Sequence, residues 1–283
     1  MRFASYFTGN RSSFGLVEGD RIYDLGSRFG EGCPDLKTAI QQERLKGVKS
    51  LIAGADADFH VNDIEFLPTI PNPNRIMCVG LNYHDHRKEA NRAETANPTI
   101  FMRLAESQTG HKRALLCPKE SDQFDFEGEV AVIIGRGGRR IDESRALEHI
   151  AGMSCYNDGS VRDWQAHTTQ WDAGKNFPST GAFGPWMVDT EELPGDSSLE
   201  LTTRINGEIV QNSNTDLLVF SIPRLISYIS TFTTLEAGDV IVTGTPGGVG
   251  FKRQPPLFMK DQDVVEVEVS GIGTLVNRVK KEV

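Results

Sequence analysis

The sequence predicts an α+β fold, mostly β, in two parts: a small N-terminal α+β domain over residues 1–70 and a larger body over 71–283. Three observations predict it. Short runs rich in β-branched and aromatic residues recur along the chain, and segments of helical apolar periodicity are few. A regular strand–helix–strand alternation, the mark of a parallel α/β sheet, is missing. Finally, Leu67-Pro68-Thr69-Ile70-Pro71-Asn72-Pro73-Asn74 supplies an extended connector, because proline disfavours helix in the residue before it.

In chain order, Met1 to Thr8, Phe14 to Val17 and Arg21 to Leu25 read as strands, the last two joined through Glu18-Gly19-Asp20, and one helix completes the first part. Beyond the connector, Glu129 to Ile134 reads as a strand whose run from Val130 onward is apolar on both faces, which suits burial. Leu199 to Ile205 and Glu208 to Gln211 flank Asn206-Gly207, a pair suited to a type I′ hairpin. Asp239 to Thr243 follows a turn at Gly238, and Val264 to Val269 leads through Ser270-Gly271-Ile272-Gly273 into a last strand. One helix starts after Ser221 as N-cap, with Pro223 in its first turn and Ile222, Leu225, Ile226 and Ile229 on one face. A second is expected over Glu143 to His149.

The balance of charge narrows the function. A net charge of −9 and a pI of about 5.2 speak against phosphate backbones and anionic lipid as partners. An anionic substrate must therefore meet local positive charge, from buried Arg and Lys or a bound cation. Cys33, Cys78, Cys117 and Cys155 form no CxxC pair, so they read as reduced core thiols rather than a zinc site. The start Met-Arg-Phe-Ala-Ser lacks a signal-peptide apolar stretch and no segment approaches a membrane span, so a cytoplasmic protein is expected.

Asp125-Phe126-Glu127-Gly128-Glu129-Val130-Ala131-Val132-Ile133-Ile134 carries the main chemical signal. In a strand, residues two apart share a face, so Glu127 and Glu129 are expected to point together beside Ala131 and Ile133. On a solvated edge strand such a pair would mean nothing. Next to a buried run, two close carboxylates must either protonate or share a cation, and Mg²⁺ or Mn²⁺ suits oxygen ligands. A third ligand is available in Asp158, where Gly152-Met153-Ser154-Cys155-Tyr156-Asn157-Asp158 passes from an apolar strand into a turn. Arg162, Gln165 and Lys175 follow closely, side chains able to bind a carboxylate and stabilise a developing oxyanion. Arg162 also has a structural option, pairing with Asp163 or Asp158.

These segments occur in a fixed order with Gly80-Leu81-Asn82-Tyr83-His84-Asp85-His86-Arg87-Lys88-Glu89 before them and Thr243-Gly244-Thr245-Pro246-Gly247-Gly248-Val249-Gly250 after them. The ordered set resembles the fumarylacetoacetate hydrolase family, over nearly all of the chain from Arg75 onward. The resemblance implies a mixed β-roll catalytic domain, one Mg²⁺ or Mn²⁺, a small-molecule keto acid as substrate and commonly a homodimer. It implies Glu127, Glu129 and Asp158 as metal ligands, His86 and Glu89 as the pair that activates water, and Lys175 as a further catalytic group. Arg162, Gln165 and Thr245 are implied as substrate contacts. Helical spacing agrees for His86 and Glu89, which would share a face and leave His84 pointing elsewhere. The polar stretch 91–98 is expected to form a mobile lid.

Two departures from the family pattern stand out: Phe101-Met102-Arg103, where relatives often carry Phe-x-Lys, and Asn176, where many carry Asp soon after the lysine. Both are expected near the distal part of the substrate. Gly244 to Gly250 lacks the spacing and the Lys of a nucleotide loop and reads as a tight turn or a close backbone approach. The expected reaction is metal-dependent hydrolysis of a carbon–carbon bond in a 3-acylpyruvate-type diketo acid. The alternatives are oxaloacetate decarboxylation or keto acid isomerisation or hydration on the same site, and a non-catalytic metal-binding protein.

Overall fold

The computed structural model describes residues 1–91 and 95–283. Among them, one mixed sheet of twelve strands and a second of five carry the architecture. The large sheet has a ten-strand path. It starts with Phe59–His60, Arg21–Asp24, Arg11–Glu18 and Arg2–Thr8, crosses to Gly181–Asp189, Ile150–Asn157 and Gly128–Ile134, and ends with Val240–Val242, Ile76–Gly80 and Thr99–Arg103. The sheet is continuous across the connector, because Arg2 pairs with Val188 and Phe3 with Met187. The five-stranded sheet runs Glu208–Asn214, Glu200–Ile205, Val264–Val269, Gly273–Lys281 and Ala114–Cys117.

Gly128–Ile134 lies inside the protein because it has a core on each side. Val130, Val132 and Ile134 pack into the cluster shared with the five-stranded sheet and the Ile222–Phe232 helix, while Ala131 and Ile133 face Tyr156, Phe183 and Val242. This explains a run that is apolar at every position. That helix follows its pattern: Ser221 Oγ caps Arg224 N, and Ile222, Leu225, Ile226 and Ile229 are buried. The hairpin at Asn206-Gly207 also forms as expected, both residues taking positive φ (51° and 83°).

Four local expectations need correction. Leu25 opens a helix instead of closing a strand, since Asp24 caps Ser27 N and turns the chain. The first part holds three short helices, Leu25–Phe29, Leu36–Gln41 and Val48–Leu51, where one was expected. Glu143–His149 is a 3-10 helix, capped by Asp142. Glu127 precedes the strand that begins at Gly128. No helix among the described residues is long and apolar enough to cross a membrane.

Candidate metal centre and active site

Strand register assembles the carboxylates. Gly128 pairs with Asn157 and Glu129 with Tyr156, so the residues flanking the pair, Glu127 and Asp158, meet where the two strands end. Asp158 N donates to Glu127 O at 2.8 Å, and Glu127 N donates to Asn157 Oδ1 at 3.0 Å. Glu127 therefore reaches the cradle from a backbone-locked link, and Glu129 from the face it shares with Ala131 and Ile133. One oxygen from each of Glu127, Glu129 and Asp158 lies within 4.8 Å of the others, all three residues being buried.

Three buried cations surround this cradle. Lys175 Nζ donates to Glu127 Oε2 at 2.7 Å and to Asp158 Oδ2 at 2.6 Å. Arg162 donates from Nη2 to Glu127 Oε1 at 2.6 Å and from Nε to Asp125 Oδ2 at 2.8 Å. Arg103 donates from Nη1 to Asp158 Oδ1 and from Nη2 to Thr180 Oγ1. Arg103 was expected at the distal end of the pocket; its side chain is instead fully buried behind Asp158, supporting a ligand. Asn176, the other departure, caps Leu104 N and Met102 O on the exposed side of the same strand end.

The two glutamates differ in their electrostatics. Burial opposes ionisation of Glu127, but Arg162 and then Lys175 outweigh it and hold the carboxyl far below the usual range. Glu129 is pushed well up, first by burial and then by the charges of Asp158 and Glu127. Its hydrogen-bond support is the Gly244 N–H at 2.6 Å. Three hard oxygen donors at this spacing, with the Glu129 carboxyl pushed up by burial and by the charges beside it, fit a Mg²⁺- or Mn²⁺-sized dication that would offset that repulsion.

His86 and Glu89 lie on the helix His84–Glu89, with His86 Nδ1 3.3 Å from Glu89 Oε2, while His84 is exposed. His86 is buried and lines a cavity of about 950 Å³ that also contains the three acids. Arg162, Gln165, Lys175 and Thr245 line it too. Several of their polar atoms are engaged within the protein: Gln165 Oε1 accepts from Arg162 Nη1 at 2.9 Å, and Thr245 Oγ1 donates to Gly128 O at 3.0 Å and accepts from Gln211 Nε2 at 2.8 Å. The expected lid, 91–98, includes residues 92–94, which lie outside the described residues; Thr95 and Thr99 line the cavity.

The glycine-rich turn approaches protein carboxylates rather than a nucleotide. Gly244 N meets Glu129, Gly248 N meets Glu89, and the N–H groups of Gly250 and Phe251 meet Asp125 at 2.8 and 3.1 Å. Gly244 has to be glycine: its φ is 107°, and a Cβ there would lie 2.7 Å from Asn82 Cβ. Sequence reasoning named this turn without its role, and it passed over Asp125, Phe251 and Lys252. Asp125 stood inside the quoted motif, so a signal was present; the other two carried none.

The chain matches the description "Fumarylacetoacetate (FAA) hydrolase C-terminal" over residues 75–280. It is 39% identical over 219 residues to the oxaloacetate tautomerase Fahd2a, mitochondrial, of Rattus norvegicus, covering 77% of this chain and 70% of that protein. Among solved structures it resembles a fumarylacetoacetate hydrolase from Exiguobacterium antarcticum, with a TM-score of 0.85 and 32% identity over 100% of both chains. It also resembles a maleylpyruvate hydrolase from Sphingobium sp. SYK-6 in complex with manganese(II) and pyruvate, with a TM-score of 0.84 and 26% identity over 100% of both chains. The protein is therefore a member of the fumarylacetoacetate hydrolase family.

Proposed function

We propose that the protein hydrolyses a carbon–carbon bond in a 3-acylpyruvate-type diketo acid, using one Mg²⁺ or Mn²⁺ held by Glu127, Glu129 and Asp158. The observation that carries this reading is the placement of the His86–Glu89 pair on the wall of the same cavity as the three-acid cradle. A dication in that cradle supplies Lewis acidity for a keto carboxylate and for enolate charge.

The chain's own groups supply the rest. Glu89, anchored by the Gly248 N–H, accepts the Nδ1 proton of His86 and fixes the tautomer, which leaves Nε2 to take a proton from water. The water attacks the distal carbonyl of the diketo acid, the bond to the pyruvate unit breaks with its electron pair leaving on pyruvate as the enolate, and the proton taken up by His86 is returned to that carbon. Arg162 pairs with Glu127, and Lys175 bridges Glu127 and Asp158, so the cradle keeps its shape while substrate enters. Gln165, its Oε1 fixed by Arg162, lines the same cavity and adds a neutral polar group to it.

A second reading is keto–enol conversion of oxaloacetate, favoured by the 39% identity to the rat tautomerase. There His86 would move a proton at carbon instead of at water. Purified protein loaded with Mn²⁺, incubated with acetylpyruvate, fumarylpyruvate and oxaloacetate, separates the two. Hydrolysis releases pyruvate and a second carboxylic acid. Tautomerisation changes the enol absorbance of oxaloacetate and releases nothing. Absence of turnover with all three acids would remove both readings.

A further inference from the structure

The cavity wall holds a cation that the reaction described above leaves unused. Lys252 lines the cavity at the end of the short turn Gly250–Lys252, and its Nζ sits 4.8 Å from the centre of the Phe251 ring. The guanidinium of Arg162 lies 4.2 Å from the centre of the same ring. The two cations differ in what they face. Arg162 is committed to Asp125 and Glu127, and Lys175 to Glu127 and Asp158. Among the described residues, Lys252 forms no ion pair. Asp163 also lines the cavity, but its Oδ1 accepts from Ser121 Oγ at 2.7 Å and Trp164 N at 3.0 Å, and it makes no ion pair with Lys252.

Its position is built, not incidental. Asp125 accepts from Gly250 N, Phe251 N and Arg162 Nε together, so one buried carboxylate ties the turn that carries Lys252 to the arginine that holds Glu127. Gly250 permits this approach, since a Cβ there would lie 1.9 Å from Leu257 O and 2.4 Å from Asp125 Oδ1. With a shared ring centre, Lys252 Nζ and the Arg162 guanidinium carbon are at most about 9 Å apart, which places Lys252 near the side of the cradle that Arg162 holds.

We propose that Lys252 is a specificity-determining residue that receives a carboxylate at the end of the substrate remote from the Glu127–Glu129–Asp158 cradle, so that the site selects keto acids with a second anionic group. This rests on the keto acid reading above. Lysine is the appropriate residue type because a mobile point charge reaches a carboxylate at the mouth without fixing the length of the chain behind it.

The test compares pyruvate with 2-oxoglutarate, two 2-keto acids that differ by a remote carboxylate, as calorimetric ligands of the Mn²⁺-loaded protein. The wild type should favour 2-oxoglutarate over pyruvate by about five- to tenfold, the scale of one solvent-accessible ion pair. Lys252→Ala should bring that ratio close to one, Lys252→Glu should invert it, and Lys252→Arg should preserve it. In turnover, the ratio of kcat/KM for fumarylpyruvate over acetylpyruvate should fall by the same factor in Lys252→Ala, through KM and not kcat. An unchanged ratio in Lys252→Ala would overturn the assignment, as would equal losses for both ligands. If the wild type binds neither acid, the keto acid reading itself fails, an outcome distinct from an unchanged ratio.

Discussion

Replacing Glu129 with glutamine should stabilise the metal-free protein and weaken the metal-loaded one. The side chain is buried, its pKa is raised by desolvation and by Asp158 and Glu127, and glutamine keeps both its shape and its acceptor for the Gly244 N–H. An unfolded glutamate ionises near pH 4.3, so a folded state that keeps the proton loses stability as pH rises past that value, at about 1.4 kcal/mol per unit. The loss is complete only when the pH passes the raised folded value. At pH 7 the gain from Glu129→Gln is therefore at most about 3.7 kcal/mol, which raises the melting temperature by up to roughly 10 °C for a chain of this size. Near pH 4 the two proteins should melt together. Excess Mn²⁺ should reverse the order, because removing one anionic ligand lowers metal affinity by at least about 100-fold, more than loss of an outer-sphere partner. Calorimetric melts across pH, with chelator and with Mn²⁺, measure both arms. A metal-free variant that melts below the wild type at pH 7, or equal Mn²⁺ stabilisation of both proteins, would refute the idea that mutual repulsion among these acids defines the site.

Other substitutions test other parts of the site. His86→Ala should lower kcat/KM by about 10²- to 10⁴-fold, while calorimetric Mn²⁺ affinity stays within a few-fold, since the imidazole moves a proton and holds no ion. Arg103→Ala leaves a buried Asp158 with Lys175 alone, so denaturant unfolding should show a loss of about 3 kcal/mol, with Mn²⁺ affinity down by about 10- to 100-fold. Arg103→Lys should recover part of each, because it restores the charge but not the fork that also reaches Gly159 O and Thr180 Oγ1. Gly244→Ala should cost at least about 2 kcal/mol in the same unfolding assay, from the positive φ and the contact with Asn82.

The grouping of the acids was legible in the sequence because their spacing encodes their geometry, a strand end and a turn, whereas for His86 and Glu89 the spacing gave only a shared helical face and the resemblance supplied their place at the site. Glu127 shows the limit of that reasoning. It joins Glu129 as expected, yet through a hydrogen-bonded link outside the strand, so its direction comes from Asn157 and not from period-two alternation. Arg103 was misplaced because its role depends on a partner 55 residues away, reached only once the Thr99–Arg103 strand docks beside Ile76–Gly80. Lys252 carried no local signal at all; only the folded cavity distinguishes it from a surface lysine. The short helices of the first part, four to six residues each, fall below the length at which apolar periodicity can be read.

Main-chain amides, not side chains, restrain Glu129, Glu89 and Asp125 from the turn at 244–251. Mutation cannot delete an amide hydrogen except by introducing proline, so most replacements at Pro246, Val249 or Lys252 leave those restraints in place. Gly244, Gly248 and Gly250 are the opposite case, each held by a positive φ or by backbone closer than a Cβ allows. Such a loop separates what must be inherited intact from what is free to drift, and it offers a route by which descendants of one ancestral enzyme can exchange substrates while the machinery that orients the acids is passed on unaltered.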